Sequence, residues 1–165
     1  MNKSFVAVMM GSDSDLDTMQ TCINTLKELG IPHEAHVLSA HRTPDLTADY
    51  VKNAEQRGCA IYIAAAGLAA HLAGTVAANT IKPVIGIPLD AGTLGGLDAL
   101  LATVQMPGGT PVATTSIGKA GAKNAAILAA EILAINDSTL ADKLKTMRQL
   151  KREALQAADK KLQEA

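Results

Sequence analysis

Phe5-Val6-Ala7-Val8-Met9-Met10-Gly11-Ser12-Asp13-Ser14-Asp15 is the stretch on which the fold turns. Six apolar residues with no polar alternate read as a strand buried on both faces, and Gly11 stops it. Leu16, Met19, Ile23 and Leu26 then recur at helical spacing, so the chain opens as strand, tight turn, helix. The same unit recurs downstream. Residues 35–38 form a second, weaker strand, followed by a polar loop and a helix with Thr43 as cap, Pro44 at its first position and Asp45 beside it. Residues 60–66 form a third strand ended by Gly67, with Leu72 and Val76 on the next helix and His71 one turn into it. Residues 84–87 form a fourth, Leu97, Leu100, Leu101 and Val104 share one helix face, and residues 112–116 form a fifth strand after Pro111. Strands alternating with helices through short loops predict right-handed crossovers and an α/β, three-layer parallel sheet. Ligands in such sheets bind at the carboxyl ends of the strands.

Composition narrows the partners. A chain of 165 residues supports one core, and with 2% aromatic residues and no Trp that core must be close-packed Ala, Val, Ile and Leu. A net charge of -1 gives no field toward nucleic acid or an anionic membrane, and the scarcity of aromatics leaves no platform for stacked bases. No apolar run reaches the roughly 18 residues a bilayer requires. Met1-Asn2-Lys3-Ser4 leads straight into the first strand rather than into a signal peptide, which predicts a cytoplasmic protein. Cys22 and Cys59 fit no metal or redox spacing and read as packing residues.

The end of the chain reads differently. Residues 122–134 are apolar almost all round, which calls for cover on every side. From Ser138 onward a charged segment keeps Leu140, Leu144, Met147, Leu155 and Leu162 near heptad spacing. It suits a helix lying across a neighbouring subunit, or an amphipathic helix packed on its own domain. The expected organisation is a catalytic domain over residues 1–136 and a helical extension over 137–165.

Three strand-end loops carry the chemistry. In Gly11–Asp15, free backbone N–H groups and the hydroxyls of Ser12 and Ser14 converge at a helix start, a place for an anion or a polyol, and Asp15 can accept from ribose hydroxyls. A capping role for Asp13 or Ser14 would explain one of these residues but not the cluster. In Ser39-Ala40-His41-Arg42-Thr43-Pro44, Arg42 offers a planar fork of donors to phosphate or carboxylate. His41 beside it carries an imidazole, whose ordinary pKa of about 6.5 lets it give and take a proton near neutrality. The third loop, residues 66–74, is built of small residues, with Gly67 where a flat ligand can approach the backbone. His71 there either binds a carboxylate or lies against the sheet. His33 and His36, three apart on a strand, point to opposite faces and cannot chelate one ion. A zinc site from His41, His71 and Asp15 would lack both Cys ligands and a His pair on one helix face.

These loops, in this order and joined by Pro83-Val84-Ile85-Gly86-Ile87-Pro88 and Gln105-Met106-Pro107-Gly108-Gly109-Thr110-Pro111-Val112, resemble the bacterial 5-(carboxyamino)imidazole ribonucleotide mutases of purine biosynthesis from about Val6 to Leu133. The resemblance implies a flavodoxin-like sheet, a homo-octamer, no metal and no organic cofactor. It implies that Ser12, Asp15 and Arg42 hold the substrate's ribose and phosphate, with Ser14 and Ser39 nearby. Gly67, Ala70 and Leu72 then belong to the substrate site, with His41 catalytic and His71 in support. Leu68 and Ala73 stand where the family commonly has Gly and Pro, Thr75 where Met is common, and residues 90–96 depart from the usual segment. The related animal-type carboxylases, which take carbon dioxide directly, usually carry Lys after the corresponding His, so Arg42 favours the mutase. Direct carboxylation of aminoimidazole ribonucleotide and a non-catalytic nucleotide-binding module are the alternatives.

Overall fold

A computed structural model describes residues 4–164; Met1–Lys3, read above as leading straight into the first strand, and Ala165, at the end of the helical extension, lie outside the described residues. The order is β1 (Phe5–Met10), a short 3-10 turn (Asp13–Asp15), α1 (Leu16–Leu29), β2 (His33–Val37), α2 (Pro44–Gln56), β3 (Cys59–Ala66), α3 (Leu72–Ala77), β4 (Val84–Pro88), α4 (Leu97–Val104), β5 (Ala113–Thr114), α5 (Gly118–Ala134) and α6 (Ser138–Gln163). The strands form one parallel sheet in the order β2-β1-β3-β4-β5. This is the flavodoxin-like arrangement expected, with the order reversing between β1 and β3. All six residues of β1 are buried, as their unbroken apolar run requires of a strand covered on both faces.

On one face Phe5, Ala7 and Met9 pack with Tyr62 and Ala64 against Val51 and Ala54 of α2 and Leu72, Ala73 and Val76 of α3. The alternate residues Val6, Val8 and Met10 point the other way and are equally buried. Cys22 and Cys59 are buried free thiols, and burial pushes the Cys22 thiol up to about 12. Tyr62 is the largest fully buried side chain, and its hydroxyl donates to the Val51 carbonyl at 2.7 Å. Tyr62→Phe leaves that acceptor one partner short, at a cost of about 1–2 kcal/mol. The urea midpoint should fall with an unchanged slope.

Sequence and structure differ most at the sheet edges and on α4. β2 runs over His33–Val37 rather than residues 35–38, because an edge strand can be half solvated and so admits His33, Glu34 and His36. β5 has only two residues of the five expected. Leu97, Leu101 and Val104 do share a face of α4, but that face is about half exposed; the helix buries Ala99 and Thr103 instead. Gly86 of β4 explains the choice. A Cβ there would collide with Thr103 and come within 2.9 Å of Val112, so only small groups fit between α4 and the sheet.

Two compact units divide the chain, one up to Ala129 and one from Ala130 onward. Within the first, α5 buries Ala122, Ala125, Ala126 and Ala129 while Lys123 and Asn124 are exposed, so a single chain covers one face of the helix. In the second, Asp137 caps α6 by accepting from the Leu140 N–H at 3.0 Å. Arg148 pairs with Glu131 at 2.6 Å. Leu140 and Leu144 are buried, whereas Leu155 and Leu162 are exposed. Among the described residues no helix is long and apolar enough to cross a membrane.

Candidate active site

A cleft of about 510 Å³ opens at the carboxyl ends of the strands where the sheet order reverses, and all three loops line it. Nine of the ten expected residues border it: Ser12, Ser14, Asp15, Ser39, His41, Arg42, Gly67, His71 and Leu72. Ala70 does not; it is 2% exposed and lies outside the cleft lining. Sequence reasoning missed Ala91, the lining residue that lies outside the three loops. Residues 90–96 carry no polar motif to mark them, only the glycines Gly92, Gly95 and Gly96 at positive φ, which let the segment fold back.

The first loop is a capping box. The Ser12 hydroxyl accepts from the Ser14 N–H at 3.4 Å, and the Asp15 carboxylate accepts from the Ser12 N–H at 3.0 Å. Thus Ser12, not Asp13 or Ser14, is the cap, while the Ser14 hydroxyl donates to that of Ser12 at 3.0 Å. Asp15 carries a raised pKa, chiefly because burial disfavours its charge; the Ser12 N–H and the Arg42 guanidinium pull it back down in part.

The second loop is tied across its own turn. Thr43 stands at the N-cap position of α2 and Pro44 follows, but the Thr43 hydroxyl makes no cap bond. It accepts from the Ser39 N–H at 2.9 Å and donates to the Ser39 carbonyl at 3.2 Å. The Ser39 hydroxyl accepts from the Arg42 N–H at 3.1 Å. Arg42 Nη2 reaches across to donate to the Gly11 carbonyl at 2.5 Å, joining the second loop to the first.

The third loop brings the second histidine. His71 occupies the N-cap position of α3 rather than a place one turn into it, and it is exposed in the cleft rather than buried against the sheet. Its Nδ1 lies 2.7 Å from His41 Nε2, with the rings edge to face at 80° and centroids 4.8 Å apart. One nitrogen of that contact must donate and the other accept, so a single proton lies between the two imidazoles. His33 and His36 are elsewhere: His33 Nδ1 meets the Ile31 carbonyl at 2.8 Å, and His36 packs on Tyr50. Leu68 is left-handed, with φ 56°, at a cost of about 1–2 kcal/mol for a residue with a Cβ.

A switch-point cleft that brings a guanidinium, a carboxylate and two touching imidazoles together has the geometry of an α/β enzyme acting on a small molecule. The family model described as AIR carboxylase matches residues 5–154. The N5-carboxyaminoimidazole ribonucleotide mutase of Bacillus subtilis is 52% identical over 155 residues, covering 93% of this chain and 96% of its own. The mutase of Escherichia coli K12 is 49% identical over 147 residues, covering 89% and 87%. Among solved structures, Treponema denticola PurE superposes with a TM-score of 0.87 at 29% identity, covering 97% of this chain and 99% of its own. The chain belongs to the AIR carboxylase family.

Proposed function

We propose that the chain converts 5-(carboxyamino)imidazole ribonucleotide to 5-amino-4-imidazolecarboxylate ribonucleotide in purine biosynthesis, the mutase reaction named for its relatives. The observation that carries the reading is the His41–His71 pair at 2.7 Å, facing the same cleft as Arg42, Ser12 and Asp15. Arg42 holds the phosphate, with Ser12, Ser14 and Ser39 around it, and Asp15 accepts from the ribose.

A carbamate loses carbon dioxide once its nitrogen is protonated. His41 supplies that proton, and the C–N bond breaks to leave carbon dioxide beside an electron-rich ring. The ring carbon attacks, forming the new C–C bond, and the now neutral imidazole removes the proton from that carbon. Acid and base are one group, and proton count and charge balance without an electron sink. His71 holds His41 in one tautomer through their contact. Purified protein should interconvert the two carboxylated nucleotides, followed by ultraviolet absorbance, without ATP and in the presence of a chelator. Product formed only from aminoimidazole ribonucleotide and carbon dioxide would replace this reading with the direct carboxylase.

Asp15 gives a separate prediction. Its folded pKa is raised, so the ionised carboxylate detracts from stability above the unfolded value, and the penalty fades as pH falls through the folded one. Asp15→Asn should therefore melt no lower than the wild type at pH 7. Loss of charge-assisted bonds to the ribose should weaken nucleotide binding by roughly tenfold to a hundredfold, for bonds of about 1.5–3 kcal/mol. A lower melting point with unchanged affinity would reverse both assignments.

The protein acts as a cytoplasmic homo-octamer, with residues 1–136 as the catalytic domain and the helix over 137–165 on a neighbouring subunit. The exposed stripe of Leu97, Leu101 and Val104 and the exposed Leu155 and Leu162 support self-association. A monomeric mass in solution would refute it.

A further inference from the structure

Apart from His71, the polar side chains of the cleft come from the first two loops, whereas the rest of its other side is apolar: Ala66, Gly67, Leu68, Ala69, Leu72 and Ala91. That side is assembled from two segments, the third loop and the chain leaving β4. The Leu89 N–H donates to the Ala66 carbonyl at 2.9 Å, so the two run together. Beyond that bond they interlock. A Cβ on Gly67 would lie 2.6 Å from the Ala91 methyl, and a Cβ on Gly92 would lie 2.5 Å from Leu68 Cδ2. Each segment thus leaves out one side chain where the other inserts one. A Cβ on Gly96 would meet Ile117 at 2.7 Å and the Leu89 carbonyl at 3.1 Å, so the 90–96 segment has little room to move back.

Leu68 holds its place in this interlock with a left-handed backbone, a conformation glycine would adopt freely. A branched side chain at such a position, inserted against Gly92 and lining the cleft, indicates a use for the side chain itself. We infer that Leu68 is a positioning residue that latches the 90–96 segment against the third loop and so closes the apolar wall that retains carbon dioxide between the two halves of the reaction. The inference rests on the mutase reading. Carbon dioxide at that point is uncharged and bonded to nothing, so only the enclosure of the site keeps it from the solvent.

The test gives the full-length protein a carbamate substrate labelled with carbon-13 in its carboxyl group, in unlabelled bicarbonate, and measures the label kept in the product. Label retained per turnover does not depend on how much protein is folded. Wild type should retain it. Leu68→Ala and Leu68→Gly should lose label to the medium, the glycine variant doing so although its backbone strain is relieved. Leu68→Met, which refills the contact with Gly92, should restore retention. Retention by Leu68→Gly equal to wild type overturns the latch and leaves the mutase reading intact, as does label loss by Leu68→Met as large as that of Leu68→Ala. A wild type that converts neither nucleotide overturns the reading and the latch together.

Discussion

Replacing His41 by Asn is expected to lower turnover by roughly 10²–10⁴ while the nucleotide still binds, the range lost when a positioned acid–base is removed. Asn is close in size and can still bond to His71 Nδ1, now 2.7 Å from His41 Nε2, so the cleft should keep its shape. What Asn cannot do is carry a proton near neutrality. Both halves of the proposed reaction need that proton, first on the carbamate nitrogen and then taken from the ring carbon, so neither half survives. The loss should appear in kcat with nucleotide affinity little changed, which titration of the nucleotide into the variant would measure. His71→Asn should do less harm, about tenfold, because an amide can still hold the His41 ring in one orientation while His41 keeps its proton. Equal losses in the two variants would make the pair, rather than His41, the proton carrier; full turnover in His41→Asn would end the mechanism.

Gly121→Ala should give the largest loss of stability. Gly121 is buried in the first turns of α5, and a Cβ there would overlap the Ser116 carbonyl oxygen and lie 2.7 Å from its carbonyl carbon. Backbone cannot rotate away as a side-chain tip can. Either the turn before the helix or the helix start must shift, at about 3 kcal/mol or more. For a chain of this size that lowers the melting temperature by roughly 6–12 °C. Gly108 is the control: a Cβ there meets nothing within 4 Å, so Gly108→Ala should melt within a degree or two of wild type or slightly above it. A Gly121→Ala protein that melts with the control would mean that the turn at Ser116 is far softer than its geometry.

What could be read from sequence follows from where physics is local. The unbroken apolar run of β1 and the glycines that end β1 and β3 specify buried strands and tight turns within a few residues, and those elements lie where expected. The loops of Ser12 and His41 could be read because each keeps its functional groups together in sequence. The contact between His41 and His71 could not, since the two are thirty residues apart and meet only through the pairing of β1 with β2 and β3. Ala91 was hidden for a related reason, as an alanine carries no chemistry until Gly67 is placed against it. The inward face of α4 was masked because its leucines outweigh Ala99 and Thr103 in any hydrophobic pattern, while the constraint that selects the small residues sits on another strand, at Gly86.

The Arg42 bond to the Gly11 carbonyl reaches further than its one hydrogen bond. It fastens the loop after β2 to the loop after β1 before any ligand arrives, so the guanidinium is ordered by folding and binding does not have to order it again. It also makes the two loops a single heritable unit. A change that shifts Gly11 moves the guanidinium, and a change at residue 42 frees a carbonyl in the other loop. Sequence drift in this family should therefore alter these two segments together or not at all, leaving the apolar side of the cleft as the part that varies alone.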